Sequence, residues 1–320
     1  MTTGAAAPAV ISTSGLTKRY GHLTAVDALS VEVTRGIVGL VGSNGAGKST
    51  LIKILLGLLE PTEGRAEVLG LDVATQGPAI RARVGYMPEH DCLPPDVSAT
   101  AFVVHMARMS GLPRASARER TADTLRLVGL YEARYRLIGQ YSTGMRQRVK
   151  FALALVGDPD LMLLDEPTNG LDPAGREEML GLIRHVGTEL GISILVTSHL
   201  LGELERIAEH LVVVDGGRLL RSSSVAEATT DTAVLSVEVT ERGADLAGVL
   251  RRAGLEATVA DATPGSRLLE VSLGATGEEL ALDAVRDAVA DLGLGLVRLQ
   301  RRRHRLTEIF TDPEAPRVDA

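Results

Sequence analysis

The segment Gly42-Ser43-Asn44-Gly45-Ala46-Gly47-Lys48-Ser49-Thr50 has the residue types and spacing of a loop that wraps a chain of phosphates. Its glycines let the backbone curl so that successive N–H groups point inward at anionic oxygens. A helix beginning at Lys48 would add the partial positive charge of its N-terminus. The Lys48 ammonium suits the β- and γ-phosphates, and the Ser49 hydroxyl suits Mg²⁺. The plain alternative is a glycine-rich turn, since the chain carries 34 glycines. The aliphatic run Ile37–Val41 before the loop and the helical pattern after it favour the phosphate reading.

A second constellation closes the run Leu161–Leu164, which ends in Asp165 and Glu166. Neighbouring strand residues face opposite ways, and the strand end releases the second carboxylate from that constraint. Asp165 can hold the Mg²⁺ shell, and Glu166 can face the water that attacks the γ-phosphate. Two solvated acids at a strand end are the bland alternative. A phosphate loop upstream in the same chain argues for the chemistry.

These groups need a scaffold. Ile37–Val41, Leu161–Leu164 and residues 193–197 and 211–214 are short, aliphatic and unalternating. Such runs suit strands buried on both faces of a mostly parallel sheet. Helical patterns over 48–58, 176–190 and 201–209 lie between them. An insert over about 88–157 reads as a helical lobe, with Leu125 and Val128 at helix spacing among Arg and Glu. The small residues of 1–14 read as disordered, so the catalytic domain spans 15–225. Over 232–312 the order strand, helix, strand, strand, helix, strand predicts a small α+β ferredoxin-like domain. It carries no catalytic constellation. Its one charge run, Arg301-Arg302-Arg303-His304-Arg305, reads first as a solvated strand end.

The composition excludes several classes. Net charge is −7, against the basic balance usual in nucleic-acid binders. Cys92 is the only cysteine, so an internal disulfide and a multi-cysteine zinc site are excluded. No run of about 20 apolar residues exists to span a bilayer. No targeting segment is visible at the N-terminus, and a cytoplasmic location is expected.

Further motifs complete the set. Tyr141-Ser142-Thr143-Gly144-Met145-Arg146-Gln147-Arg148 precedes the acidic strand, and Pro167-Thr168-Asn169-Gly170-Leu171-Asp172-Pro173 follows it. Thr197-Ser198-His199 lies beyond, and Lys18-Arg19-Tyr20-Gly21 lies upstream. In this order the motifs resemble those of the nucleotide-binding subunits of ABC (ATP-binding cassette) transporters, over about residues 15–221. The resemblance implies a P-loop NTPase cassette that binds ATP and Mg²⁺ and works as a homodimer. It implies an integral membrane permease as partner, with this chain on the cytoplasmic face of the cell membrane. It implies that Tyr20 stacks on adenine and that His199 contacts the γ-phosphate. Ser142 and Gly144 would reach a nucleotide held by the opposite copy, and Asp172 would couple the two sites. Plain alternatives stand beside these roles: Tyr20 as a half-buried aromatic, His199 as a strand-end histidine, Ser142 as a helix cap.

The signature departs from the family's common LSGGQ: Tyr141, Thr143 and Met145 replace three of its residues, while Ser142 and Gly144 remain. That form resembles the two-component bacterial exporters of drugs and other amphiphiles. Glu89 stands where the family has a glutamine, which places a carboxylate near the expected metal. A soluble ABC-type ATPase acting on ribosome or DNA is the competing function. One motif set, one cysteine and the negative charge weigh against it.

Overall fold

The computed structural model describes residues 9–225, 231–259, 267–273 and 278–303. They form two compact units divided at Val225.

The first unit holds two sheets. Strands β3 (Ile37–Val41), β6 (Val84–Met87), β7 (Leu161–Leu164), β8 (Ser193–Ser198), β9 (His210–Asp215) and β10 (Arg218–Ser224) build a six-stranded sheet in the order β10-β9-β3-β8-β7-β6. All neighbours run parallel except β10, which pairs antiparallel to β9. Every residue of β3, β7 and β8 is buried, as strands covered on both faces require. Val41 pairs with Ser198, and Leu164 with Val196. The carboxyl ends of β3, β8 and β7 therefore lie side by side. Loops leaving that edge are where an open parallel sheet holds its ligands.

The second sheet was not anticipated. Strands β1 (Ile11–Tyr20), β2 (Leu23–Val33), β4 (Glu63–Val68) and β5 (Leu71–Asp72) form an antiparallel sheet in the order β2-β1-β4-β5. Residues 11–14 thus belong to a strand rather than to a disordered N-terminus. Val10, Ile11 and Thr13 are buried, and Ile11 pairs with both Val33 and Val68. Burying those aliphatic side chains is worth about 1.5–3 kcal/mol each.

Helix α1 (Lys48–Leu55) follows β3 and buries Leu51, Ile52, Ile54 and Leu55 against the core. A short helix α2 (Gly77–Arg81) precedes β6. The lobe between β6 and β7 contains α3 (Ala99–Met109), α4 (Arg114–Leu127), a single 3₁₀ turn (Ile138–Gln140) and α5 (Thr143–Leu155). Ser98 caps α3, and Ser142 caps α5 by accepting from the Met145 N–H. Helix α6 (Pro173–Glu189) is capped by Asp172, whose carboxylate accepts from the Gly175 N–H at 2.8 Å. Helix α7 (Leu201–Leu204) is far shorter than the pattern over 201–209 predicts. After one turn the chain leaves the helix at Glu205–Ala208 to lead into β9.

The second unit contains β11 (Asp231–Val239), α8 (Gly243–Arg252), β12 (Glu256–Val259), β13 (Leu268–Ser272), α9 (Glu278–Asp291) and β14 (Leu296–Arg303). Its four strands pair antiparallel in the order β12-β13-β11-β14. Leu246, Ala247 and Leu250 of α8 and Ala281 and Val285 of α9 close one core with the strands. His304 and Arg305 lie outside the described residues. No helix among the described residues is long and apolar enough to cross a membrane.

Candidate functional site

The loop between β3 and α1 opens onto a cavity of about 420 Å³. Asn44, Gly45, Ala46, Gly47, Lys48, Ser49 and Thr50 line it, with Tyr20, Leu23 and Ala25 from the antiparallel sheet and Glu89 and Glu166 from the parallel one. Gly42 and Ser43 complete the loop beneath. A Cβ on Gly42 would lie 2.6 Å from the Val214 carbonyl oxygen, so only glycine fits where the chain leaves β3. Gly45 and Gly47 both take positive φ, at 87° and 95°. Gly47 closes against Ala25, where a Cβ would stand 2.1 Å from the carbonyl oxygen. Ser43 donates its hydroxyl to Asp215 at 3.1 Å.

Lys48 is buried to 7% exposure. Its Nζ donates to the carbonyl oxygens of Gly42 at 2.7 Å and Ser43 at 3.2 Å. The same ammonium lies 3.5 Å from Glu166 Oε1. The cation therefore sits inside the curl of the loop, and its nearest counter-charge is the second acid of the pair.

The acidic pair is held by two side chains of the Thr197-Ser198-His199 motif. Asp165 is buried, and its N–H donates to the Met87 carbonyl at 2.9 Å. The Thr197 hydroxyl donates to Asp165 Oδ1 at 2.9 Å and accepts from the Glu166 N–H at 2.9 Å. One hydroxyl on β8 thus fixes both acids at the end of β7. Glu166 itself has φ 48°, a left-handed conformation that costs a non-glycine residue about 1–3 kcal/mol. That turn re-aims the Glu166 side chain. Its Oε2 lies 2.9 Å from His199 Nδ1, while Oε1 is buried without a hydrogen-bond partner. Its neighbour there is the Lys48 ammonium at 3.5 Å, and a buried oxygen without a hydrogen bond is a place for a ligand or a water.

Glu89 reaches the cavity wall from the end of β6, and its Oε1 accepts from Asn169 Nδ2 at 3.1 Å. Its backbone is held by Lys150, buried on α5, whose Nζ donates to the carbonyls of Glu89 at 2.8 Å and His90 at 3.2 Å. Burial pushes the Lys150 amine below the ordinary lysine range. Sequence reading passed over Lys150, although a lysine amid the apolar residues of 149–156 is a visible oddity.

The expected residues fall into two groups. Tyr20, Asn44 to Thr50, Glu89 and Glu166 share one cavity, with His199 and Asp165 directly behind Glu166. Ser142, Gly144 and Asp172 do not line it. They stand at the N-termini of α5 and α6, where a Cβ added to Gly144 would lie an ordinary 3.8 Å from Leu171.

The donor set suits a nucleoside triphosphate with Mg²⁺. Among the described residues no three His, Cys, Asp or Glu side chains gather as a metal cage. Mg²⁺ with phosphates needs no such cage, because it takes one or two protein ligands and completes its shell with phosphate oxygens and waters. The loop with its buried lysine and the Glu166 oxygen that lacks a hydrogen bond fit that pair of ligands.

Comparison with known proteins gives the same direction. The profile of the family described as ABC transporter matches residues 26–169. The daunorubicin/doxorubicin resistance ATP-binding protein DrrA of Streptomyces peucetius is 39% identical over 218 residues, which cover 68% of this chain and 66% of that protein. The daunorubicin resistance ATP-binding protein DrrA3 of Streptomyces coeruleorubidus is 35% identical over 306 residues, 95% of each chain. Among solved structures, cbiO1 of Clostridium perfringens, part of the ABC transporter complex cbiONQ, matches with a TM-score of 0.63. It is 26% identical, over 68% of this chain and 90% of that one.

Proposed function

Since this chain belongs to the ABC transporter ATP-binding proteins, whose ATP hydrolysis is coupled to transport, we propose that it powers the efflux of a drug or other amphiphile through a separate membrane-spanning permease. The observation that carries the catalytic part is the state of Glu166. One carboxylate oxygen is braced by His199, and the other, buried without a hydrogen bond, lies 3.5 Å from the Lys48 ammonium of the phosphate loop.

In this reading Gly42 to Thr50 wrap the phosphates with backbone N–H groups, and the Lys48 ammonium neutralises the β- and γ-phosphates. Tyr20, 47% exposed at the cavity edge, offers its ring to the adenine. Ser49 and Asp165, with Glu89 beside them, would hold Mg²⁺, which when bound draws charge from the phosphate oxygens. Glu166 Oε1 accepts a proton from the attacking water as its oxygen bonds to the γ-phosphorus, and ADP departs. His199 and the Thr197 hydroxyl keep that carboxylate aimed, so little reorganisation remains at the moment of reaction.

Ser142, Gly144 and Asp172 find a role when two copies face head to tail. The N-terminus of α5 then supplies free N–H groups to a γ-phosphate held by the other copy. ATP closes such a homodimer through contacts the open state lacks, and hydrolysis releases it. The chain would work peripherally on the cytoplasmic face of the membrane. The second unit, with strand and helix order βαββαβ, is a ferredoxin-like accessory for dimerisation or regulation in this account. The domain division proposed is a cassette over 15–225, extended to the start of β1, and this accessory over 232–312. Action on ribosome or DNA is not favoured by the family or by the relatives.

The test is the solution mass of the Glu166→Gln protein with and without Mg-ATP. A monomer that becomes a dimer only with Mg-ATP supports the two-copy arrangement. An unchanged mass under saturating nucleotide contradicts it.

A further inference from the structure

Glu203 lies on α7, outside the cavity and outside every motif singled out in the sequence. Its carboxylate nevertheless joins the chain segments on which the site depends. Oε2 accepts from the Thr168 hydroxyl at 2.7 Å and from the Ser198 hydroxyl at 3.3 Å. Thr168 lies two residues after Glu166, in the turn leading to Asp172. Ser198 immediately precedes His199, whose ring braces Glu166. Both hydroxyl residues are buried, Thr168 at 4% and Ser198 at 2% exposure. The other oxygen, Oε1, is buried without a hydrogen bond, and Arg176 Nε stands 3.9 Å from it. That guanidinium donates to the Leu171 carbonyl at 3.1 Å, next to the cap of α6.

The Glu203 side chain is only 12% exposed, and a carboxylate so far out of water is tolerated where its donors are well placed. Here the donors come from two loops that leave neighbouring strands, β7 and β8. Without the carboxylate the buried Thr168 hydroxyl would lose this acceptor and the buried Ser198 hydroxyl would be left with the Leu200 carbonyl at 3.4 Å. The loops could then shift relative to each other by amounts small for folding and large for the 2.9 Å Glu166–His199 contact.

We propose that Glu203 is a positioning residue for ATP hydrolysis: its carboxylate locks the Thr168 turn to Ser198 and so holds His199 against Glu166. It touches no nucleotide. Its effect is on turnover and not on nucleotide capture, because the phosphate loop lies on a different segment.

The inference rests on the ATPase reading above. Its test uses the full chain with four variants measured together: Glu203→Ala, Glu203→Gln, Thr168→Val and Glu166→Gln. For Glu203→Ala we expect kcat to fall about tenfold with KM for ATP within about twofold of the parent. Glu203→Gln keeps an acceptor oxygen for both hydroxyls and should recover kcat to within about threefold. Thr168→Val removes one of the two donors and covers the case in which Glu203→Ala does not fold; kcat should drop while the thermal midpoint holds. A parental kcat in Glu203→Ala overturns the inference. So does a parallel loss of kcat, KM and thermal midpoint in which glutamine rescues nothing, since that is the signature of packing alone. Glu166→Gln separates the two levels. If it turns over normally, the ATPase reading falls and this inference with it. If it is inert while Glu203→Ala and Thr168→Val are parental, only the role of Glu203 falls.

Discussion

Gly45 and Gly47 both have left-handed backbone in the same loop, yet alanine at the two positions should have very different consequences. At Gly45 an added Cβ meets nothing within 4 Å, so the cost is the backbone term alone, about 1–2 kcal/mol. At Gly47 the Cβ lands 2.1 Å from the Ala25 carbonyl oxygen, an atom fixed in β2. Overpacking adds about 1–3 kcal/mol to the backbone term, for about 2–5 kcal/mol in all. For a domain of this size each kcal/mol moves the midpoint by roughly 2–4 °C. Gly47 also precedes Lys48 at the N-terminus of α1, so relieving the clash turns its N–H away from the phosphates. One charge-assisted hydrogen bond is worth about 1.5–3 kcal/mol, which corresponds to about a tenfold to hundredfold loss of ATP affinity. Calorimetric titration with Mg-ATP and a thermal melt of each variant measure both quantities. Equal losses for Gly45→Ala and Gly47→Ala, or a Gly47→Ala protein as stable as the parent, would refute the reasoning.

Gly144→Ala should fold normally, since its Cβ would meet only Leu171 at 3.8 Å. It should nevertheless lose the Mg-ATP-dependent dimer, because the methyl would stand where the opposite copy's phosphate approaches; a parental melt with parental dimerisation would remove Gly144 from that role. Tyr86 has its phenol pushed up to about 12, first by burial and then by the Asp165 charge. Between about pH 10 and 12 the folded protein thus keeps a proton that the unfolded chain has released, so stability falls as pH rises through that window. Urea unfolding at about pH 9 and pH 11 should show a shallower fall in Tyr86→Phe than in the parent; identical slopes would contradict the assignment.

Much of the site was legible because its grammar is local. A phosphate loop needs a strand, a glycine-rich turn and a helix in succession, and β3, Gly42 to Gly47 and α1 supply them contiguously. The unalternating runs of β7 and β8 likewise announced strands covered on both faces. The antiparallel sheet escaped notice because β1 is irregular: its pairing with β2 shifts register at Thr13/Leu16, Leu16/Lys18 and Lys18/Arg19. Those shifts blur the period of two that betrays a half-buried strand. The small residues before Ile11 in the sequence also hide where the strand begins. Helix α7 ends early because the N–H groups of Arg206 and Ile207 bond only three residues back, to Glu203 and Leu204, in tighter turns that replace the helical ladder. The bracing of Glu166 by His199 and Thr197 joins positions more than 30 residues apart, and only the adjacency of β7 and β8 brings them together. Glu203 was invisible for the same reason, since a lone glutamate after a short apolar turn reads as surface.

If Glu166 is the base, ATP binding and ATP hydrolysis separate at that residue. The decisive measurement is nucleotide affinity and phosphate release of Glu166→Gln beside the parent protein. Glutamine keeps the shape and the contact with His199 but cannot take a proton from water. ATP affinity should stay within about threefold while phosphate release falls by about a hundredfold or more. Release near the parental rate would show that Glu166 is not the base, and the mechanism built on its Oε1 would be wrong.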